Sequence, residues 1–130
     1  MGQASPQTLV LDAGALIAFE RADPRMRSLL REALKKHAKL VIPAGVVAQV
    51  VRHRARQVSL YSLLNSDISV VQPLDRTLAE ACGELCARAR TTDVVDASVV
   101  LVARREQAKV LTSDVGDLRK LDPSVHLVPI

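Results

Sequence analysis

The sequence predicts an α/β fold: a three-layer sandwich with a central, mostly parallel sheet of four to five strands and helices on both faces. Three observations carry this prediction. Short apolar runs at Leu9 to Leu11, Leu40 to Ile42, Ile68 to Val71 and Val110 to Thr112 read as strands. Longer stretches with apolar residues at helical spacing separate them, each long enough for a crossover between parallel neighbours. The core must be aliphatic, because Phe19 and Tyr61 are the only aromatic residues among 130.

Taken in order, Thr8 to Leu11 reads as the first strand and Ala13 to Arg21 as a helix. Asp23-Pro24 then starts a new helix, with Asp at the cap and Pro at the first turn. Its apolar face carries Met26, Leu29, Leu30, Ala33 and Leu34, and it ends in the basic cluster Lys35-Lys36-His37. The second strand is stopped by Pro43. A long helix is then expected from Ala44 towards Arg56, continuing after a bend over Gln57 to Leu64. Its many valines weaken that reading on propensity alone. Ile68 to Val71 is the third strand, and Asp75 caps a helix from Arg76 to Arg90. A helix from Thr91-Thr92-Asp93 to near Gln107, a strand at Val110, a short helix from Asp114 to Leu121 and an edge strand at His126 to Val128 complete the chain.

A chain of this length buries roughly two-thirds of its unfolded surface, so one domain over 1–130 needs no disulfide or metal staple. Cys82 and Cys86 are one helical turn apart, a poor disulfide geometry, and read as core residues in a reducing cytoplasm. Residues 1–7 read as a flexible leader without the basic and apolar regions of a signal peptide. No apolar run reaches the ~18 residues of a membrane span. The net charge of +4 makes a polyanionic partner plausible.

The organising stretch is Asp93-Val94-Val95-Asp96-Ala97-Ser98-Val99-Val100-Leu101-Val102-Ala103, the longest apolar run, with a carboxylate inside it. A buried ionised Asp costs several kcal/mol unless something pairs with it, so either Asp96 lies at the lip of the core, facing a polar site, or the run is not buried. Asp12 and Asp114 each follow an apolar strand, and in a parallel sheet both then lie beyond the strands' C-terminal ends. Carboxylates converging on one rim repel one another unless a cation sits among them. Oxygen donors without His or Cys favour Mg²⁺ or Mn²⁺. A hard divalent ion beside a basic surface suits hydrolysis of a phosphodiester. The bland alternative is that Asp12, Asp93 and the Asp114/Asp117 pair merely cap helices.

Val10-Leu11-Asp12-Ala13-Gly14-Ala15-Leu16-Ile17-Ala18, Asp93-Val94-Val95-Asp96-Ala97 and Val110-Leu111-Thr112-Ser113-Asp114-Val115-Gly116-Asp117-Leu118, in this order, resemble the PIN-domain ribonucleases, and among them the VapC-type toxins of bacterial toxin–antitoxin pairs. The resemblance covers Leu9 to Ile130. It implies a PIN-like sandwich and a Mg²⁺- or Mn²⁺-dependent endoribonuclease. It also implies Asp12 and Asp96 as metal ligands, with Asp114 and Asp117 completing the acidic pocket. A homodimer and a cognate antitoxin covering the site follow from the same likeness. One position departs: Gln49 stands where the family usually has Glu. An amide brings no charge, with Glu20 and Asp93 as substitute acids. On the expected long helix, Arg52 and Arg56 share Gln49's face and would line up as phosphate clamps beside the acids. RNA would be held mainly by its backbone, for want of aromatics to stack on bases. The strip Leu60, Tyr61, Leu63 and Leu64 is divided between core packing and a protein contact.

Two rivals remain. A receiver-type signalling domain needs paired acids after the first strand, where Asp12 is followed by Ala-Gly-Ala. A degenerate PIN domain that binds RNA or protein without cutting is supported by Gln49.

Overall fold

In the computed structural model, which describes residues 7–130, the five strands β1 (Thr8–Leu11), β2 (Lys39–Pro43), β3 (Ser69–Gln72), β4 (Lys109–Thr112) and β5 (Leu127–Pro129) form one sheet. Their order is β3-β2-β1-β4-β5 and every neighbouring pair is parallel. The helices are α1 (Ala13–Glu20), α2 (Pro24–Lys35), α3 (Ala44–Val50), α4 (Val58–Leu64), α5 (Arg76–Ala89), α6 (Val94–Glu106) and α7 (Val115–Leu121). The leader expected over residues 1–7 lies outside the described residues except for Gln7, whose carbonyl accepts the Lys39 N–H at 2.9 Å.

Right-handed crossovers dictate the layers. From β1 the chain steps to β2 and then β3 through α1 to α4. From β3 it returns across the sheet through α5 and α6 to β4, and α7 leads on to β5. The direction reverses, so α5, α6 and α7 cover the face opposite α1, α2 and α4. α6 packs over β1, β2 and β4 and is flanked by α5 and α7, while α1 packs against β4, α2 and α4. Val10, Leu11, Val41, Ile42, Val110 and Leu111 between the layers are buried, as expected for strands covered on both faces.

Two expectations need correction. The helix from Ala44 does not reach Arg56. It stops at Val50, Val51 is extended, and a 3-10 turn occupies Arg54–Arg56. The Gln57 side chain replaces the missing helical bonds. Its oxygen accepts the N–H groups of Arg52 and His53 at 2.9 and 3.0 Å, and its amide donates to the Val50 carbonyl at 3.0 Å. One polar side chain thus satisfies the backbone where consecutive valines make further helix unfavourable. Leu34 is exposed, because it has rotated to the edge of the buried stripe formed by Met26, Leu30 and Ala33. In the strip on α4, Leu60 is core while Tyr61, Leu63 and Leu64 are half-buried; the large apolar residue that this helix exposes is Val58. Cys82 and Cys86 are free and buried, as two core side chains. No helix among the described residues is long and apolar enough to cross a membrane.

Candidate functional site

The strand order places the switch point, where successive crossovers diverge, between β1 and β4. Ligands of open parallel sheets bind at that crevice, beyond the C-terminal strand ends. Asp12 follows β1 and Asp114 follows β4, so both stand at its mouth.

Asp12 is buried and caps α1: its Oδ1 accepts the Ala15 N–H at 2.9 Å. Its Oδ2 accepts the Thr112 hydroxyl, and the same Thr112 oxygen accepts the Asp114 N–H at 2.8 Å. One hydroxyl therefore fixes the orientation of one acid and the backbone of another. Burial pushes the Asp12 carboxyl above its usual range, and the bonds from Thr112 and Ala15 hold it down in part. The sequence offered no sign of Thr112's part, which depends on β4 lying directly beside β1.

α6 opens under Asp93, whose Oδ1 accepts the Asp96 N–H at 3.0 Å. Asp93 is thus a cap, and Asp96 is free to point outward from a run in which Ala97, Ser98, Val99 and Val100 are all buried. Burial raises the Asp96 pKa to about 7, helped by the side-chain bond and charge of Asp93 and the charges of Asp114 and Asp12. Asp114 flanks α7 but its side chain makes no capping bond. Burial, then the neighbouring Asp117, raises its carboxyl as well.

Asp96, Asp114 and Asp117 each offer a ligand atom within 4.8 Å of the other two. Asp12 is the more deeply buried fourth acid, felt by Asp96 and Asp114 through its charge. An all-oxygen donor set in which neighbouring acids push up the carboxyls of Asp96 and Asp114 fits a hard divalent cation, which would relieve the repulsion.

Two glycines permit this approach of elements. A Cβ on Gly14 would lie 2.9 Å from Ser113 Cβ and 3.2 Å from its backbone nitrogen, so only glycine lets α1 pass the Ser113-Asp114 loop. A Cβ on Gly45 would meet Val95 Cγ2 at 3.1 Å. α3 thereby comes beside the first turn of α6, and Gln49, one turn further along α3, is exposed.

The expected basic clamps and substitute acid are placed differently. Arg52 and Arg56 lie beyond the end of α3 and share no helical face with Gln49. Arg52 donates through Nη1 to the carbonyls of Ala48 and Val51 at 3.1 and 2.8 Å, capping α3. Glu20 ends α1, about 12 Å along its axis from Asp12 at 1.5 Å per residue. There both its oxygens accept from Gln57 Nε2 at 3.2 Å, so it does not substitute for a ligand. The cations that do border the acids are Arg90 and Lys120. They line, with Thr91, Asp93, Asp96 and Asp117, a cavity of about 200 Å³.

The PIN domain family model matches residues 9–122. The chain belongs to the PIN domain family. This PIN domain is also similar in fold to solved structures at low sequence identity. VapBC2 from Rickettsia felis, bound to a DNA fragment from its promoter, superposes with TM-score 0.72 at 15% identity, over 95% of this chain and 99% of that one. FitAcB from Neisseria gonorrhoeae gives 0.62 at 19%, over 92% and 95%. Mycobacterium tuberculosis VapC20, a sarcin-ricin loop cleaving toxin, gives 0.59 at 19%, over 78% and 86%. No curated protein matches the sequence.

Proposed function

We propose that this PIN domain is a Mg²⁺- or Mn²⁺-dependent endoribonuclease, the toxin of a toxin–antitoxin pair. The observation that carries the reading is the convergence of Asp96, Asp114 and Asp117 beside buried Asp12 at the sheet's switch point. The raised carboxyls of Asp12, Asp96 and Asp114 are in keeping with a site that takes a divalent cation.

In this reading Asp12, Asp96, Asp114 and Asp117 hold the ion. Thr112 fixes Asp12, and Asp93 fixes the turn that presents Asp96. A bound ion would supply activation of a water nucleophile and charge to offset that developing on the phosphodiester. Near neutral pH Asp96 holds a proton part of the time, which it would give up on ligating the ion. The reaction is hydrolysis: water adds to phosphorus, the bond to the leaving oxygen breaks, and that oxygen takes up a proton.

Similarity to VapBC2 and FitAcB supports a small antitoxin partner that covers the rim, and we extend the reading to a homodimer acting in the cytoplasm. A second reading, an RNA- or protein-binding PIN domain with weakened catalysis, is favoured by Gln49, whose amide leaves the rim one negative charge short. Incubating the purified chain with RNA in Mg²⁺, Mn²⁺ or EDTA decides between them, with Asp96→Asn as control. Metal-dependent fragments that vanish in the variant support the nuclease. RNA retained without cleavage in either metal supports the binding module.

A further inference from the structure

We propose that Arg90 and Lys120 form a phosphate subsite that grips the RNA backbone beside the acidic group; the inference rests on the nuclease reading above. Two walls of opposite charge define the cavity of about 200 Å³. Asp96 and Asp117 are common to it and to the acidic trio. Arg90, from the C-terminal cap of α5, and Lys120, from the last turn of α7, supply the basic wall. The two cations come from different helices and share the cavity because α5 and α7 pack against each other and against α6.

Size selects the ligand. Sites for drug-sized molecules span ~300–1,000 Å³, so this cavity suits a backbone phosphate with its water better than a nucleoside. Availability selects the residues. Arg52 is spent on carbonyls of α3, Arg104 on Asp122, and Arg54 lies over the Tyr61 ring at 5.0 Å. Among the described residues Arg90 has no ion-pair partner. Lys120 is held only by Asp117 at 3.8 Å, with both side chains largely exposed, an arrangement that contributes little and leaves the ammonium free to move.

Charge makes the subsite conditional. Asp93, Asp96 and Asp117 share the cavity with the two cations, so their charge opposes the attraction of Arg90 and Lys120 for phosphate. A divalent ion on the acids would remove that opposition. RNA and the ion should therefore bind with positive coupling, each tightening the other.

The backbone at Arg90 supplies a clean test. Its φ of 59° and ψ of 47° are left-handed, the conformation glycine favours at a helix C-terminus. Arg90→Gly removes the guanidinium while easing the backbone, so folding is preserved. Binding of a short single-stranded RNA is followed by fluorescence anisotropy across a salt series, in Ca²⁺ to suppress turnover and in EDTA. Arg90→Gly and Lys120→Ala should each weaken binding in Ca²⁺ about three- to ten-fold and flatten the salt slope by ~0.7, one phosphate contact on a single strand. In Mg²⁺ cleavage the loss should fall on KM with kcat nearly kept, and Arg90→Lys should recover part of it. A neutral methylphosphonate walked along the RNA should weaken the wild type at one linkage and leave Arg90→Gly indifferent there. Wild-type affinity and slope in both variants of a chain that cuts RNA would overturn the subsite and leave the nuclease standing. A fall in kcat at unchanged KM would make Arg90 a support for Asp93 and also overturn the subsite. A wild type that neither binds nor cuts RNA removes both readings.

Discussion

The two ends of α6 treat carboxylates in opposite ways. At its N-terminal end Asp96 faces Asp93, Asp114 and Asp12, and its pKa is driven up to about 7. At its C-terminal end Asp122 receives Arg104 at 2.9 and 3.2 Å and Ser124 through both N–H and hydroxyl at 2.9 and 2.6 Å. The Ser124 bonds first, and the Arg104 guanidinium after them, hold the Asp122 carboxyl below its usual range. The same chemical group is thus partnered at one end of a helix and crowded by its own kind at the other. The partnered acid ties α6 to the segment leading into β5. The crowded acids store repulsion that a bound cation or a proton relieves, and the proposed function belongs to that end.

Breaking the crowded end should have the larger effect on activity. Asp96→Asn should lower metal-dependent RNA cleavage roughly a thousand-fold or more, because the ion's charge stabilisation amounts to several kcal/mol. Cleavage at the wild-type rate would remove Asp96 from the site. Breaking the partnered end should act on stability instead. Arg104→Ala leaves Asp122 buried without its cation, at a cost of about 1–3 kcal/mol in chemical denaturation. Its specific activity at permissive temperature should stay near wild type.

The two ends also predict opposite pH slopes. Asp96's folded value of about 7 lies above its ordinary 3.8, so between them the folded chain holds more protons than the unfolded one. In metal-free buffer its contribution therefore destabilises the fold as pH rises through that window. Asp122 is held below 3.8; its stabilisation is present above that value and is lost as pH falls through the lowered one. Melting curves in EDTA at pH 5 and pH 8 test this. Asp96→Asn, which mimics the protonated acid, should be more stable than wild type at pH 8 by on the order of 1 kcal/mol, screening at this partly exposed site keeping the effect small. Added Mg²⁺ should narrow that gap. A variant that melts with the wild type at pH 8 would mean that Asp96 carries no repulsion.

The smallest expected change sharpens the crowded end further. Gln49→Glu adds a carboxylate on α3, whose approach to α6 is set by Gly45 against Val95. Calorimetry with Mn²⁺ should show binding tightened by about three- to ten-fold, the scale of a screened Coulomb interaction at an exposed residue. Unchanged affinity would mean that Gln49 does not face the acids.

Much of the fold was legible in the sequence because its signals are local. The strand runs, the caps at Asp23 and Asp75 and the acid inside the α6 run need only neighbours in the chain. Asp12 and Asp114 were legible as rim residues because a strand's end is visible in its own residues. Thr112 was not, since its hydroxyl matters only once β4 lies next to β1, far away in sequence. The expected alignment of Gln49, Arg52 and Arg56 failed because the Gln57 side chain bonds the backbone of Val50, Arg52 and His53 where α3 ends. Arg90 and Lys120 were missed for the same reason as Thr112: two helices must meet before their charges do.

Gly14 carries a genetic consequence. Its hydrogen is what allows α1 to pass the loop that ends in Asp114, so any larger side chain displaces that loop while every acid remains encoded. If expression of the active chain harms its host, colonies that survive induction will accumulate missense changes, and codon 14 offers a target as damaging as the aspartate codons. Sequencing such survivors should find Gly14 substitutions recurring alongside changes at Asp12 and Asp96, in protein that still accumulates to normal levels.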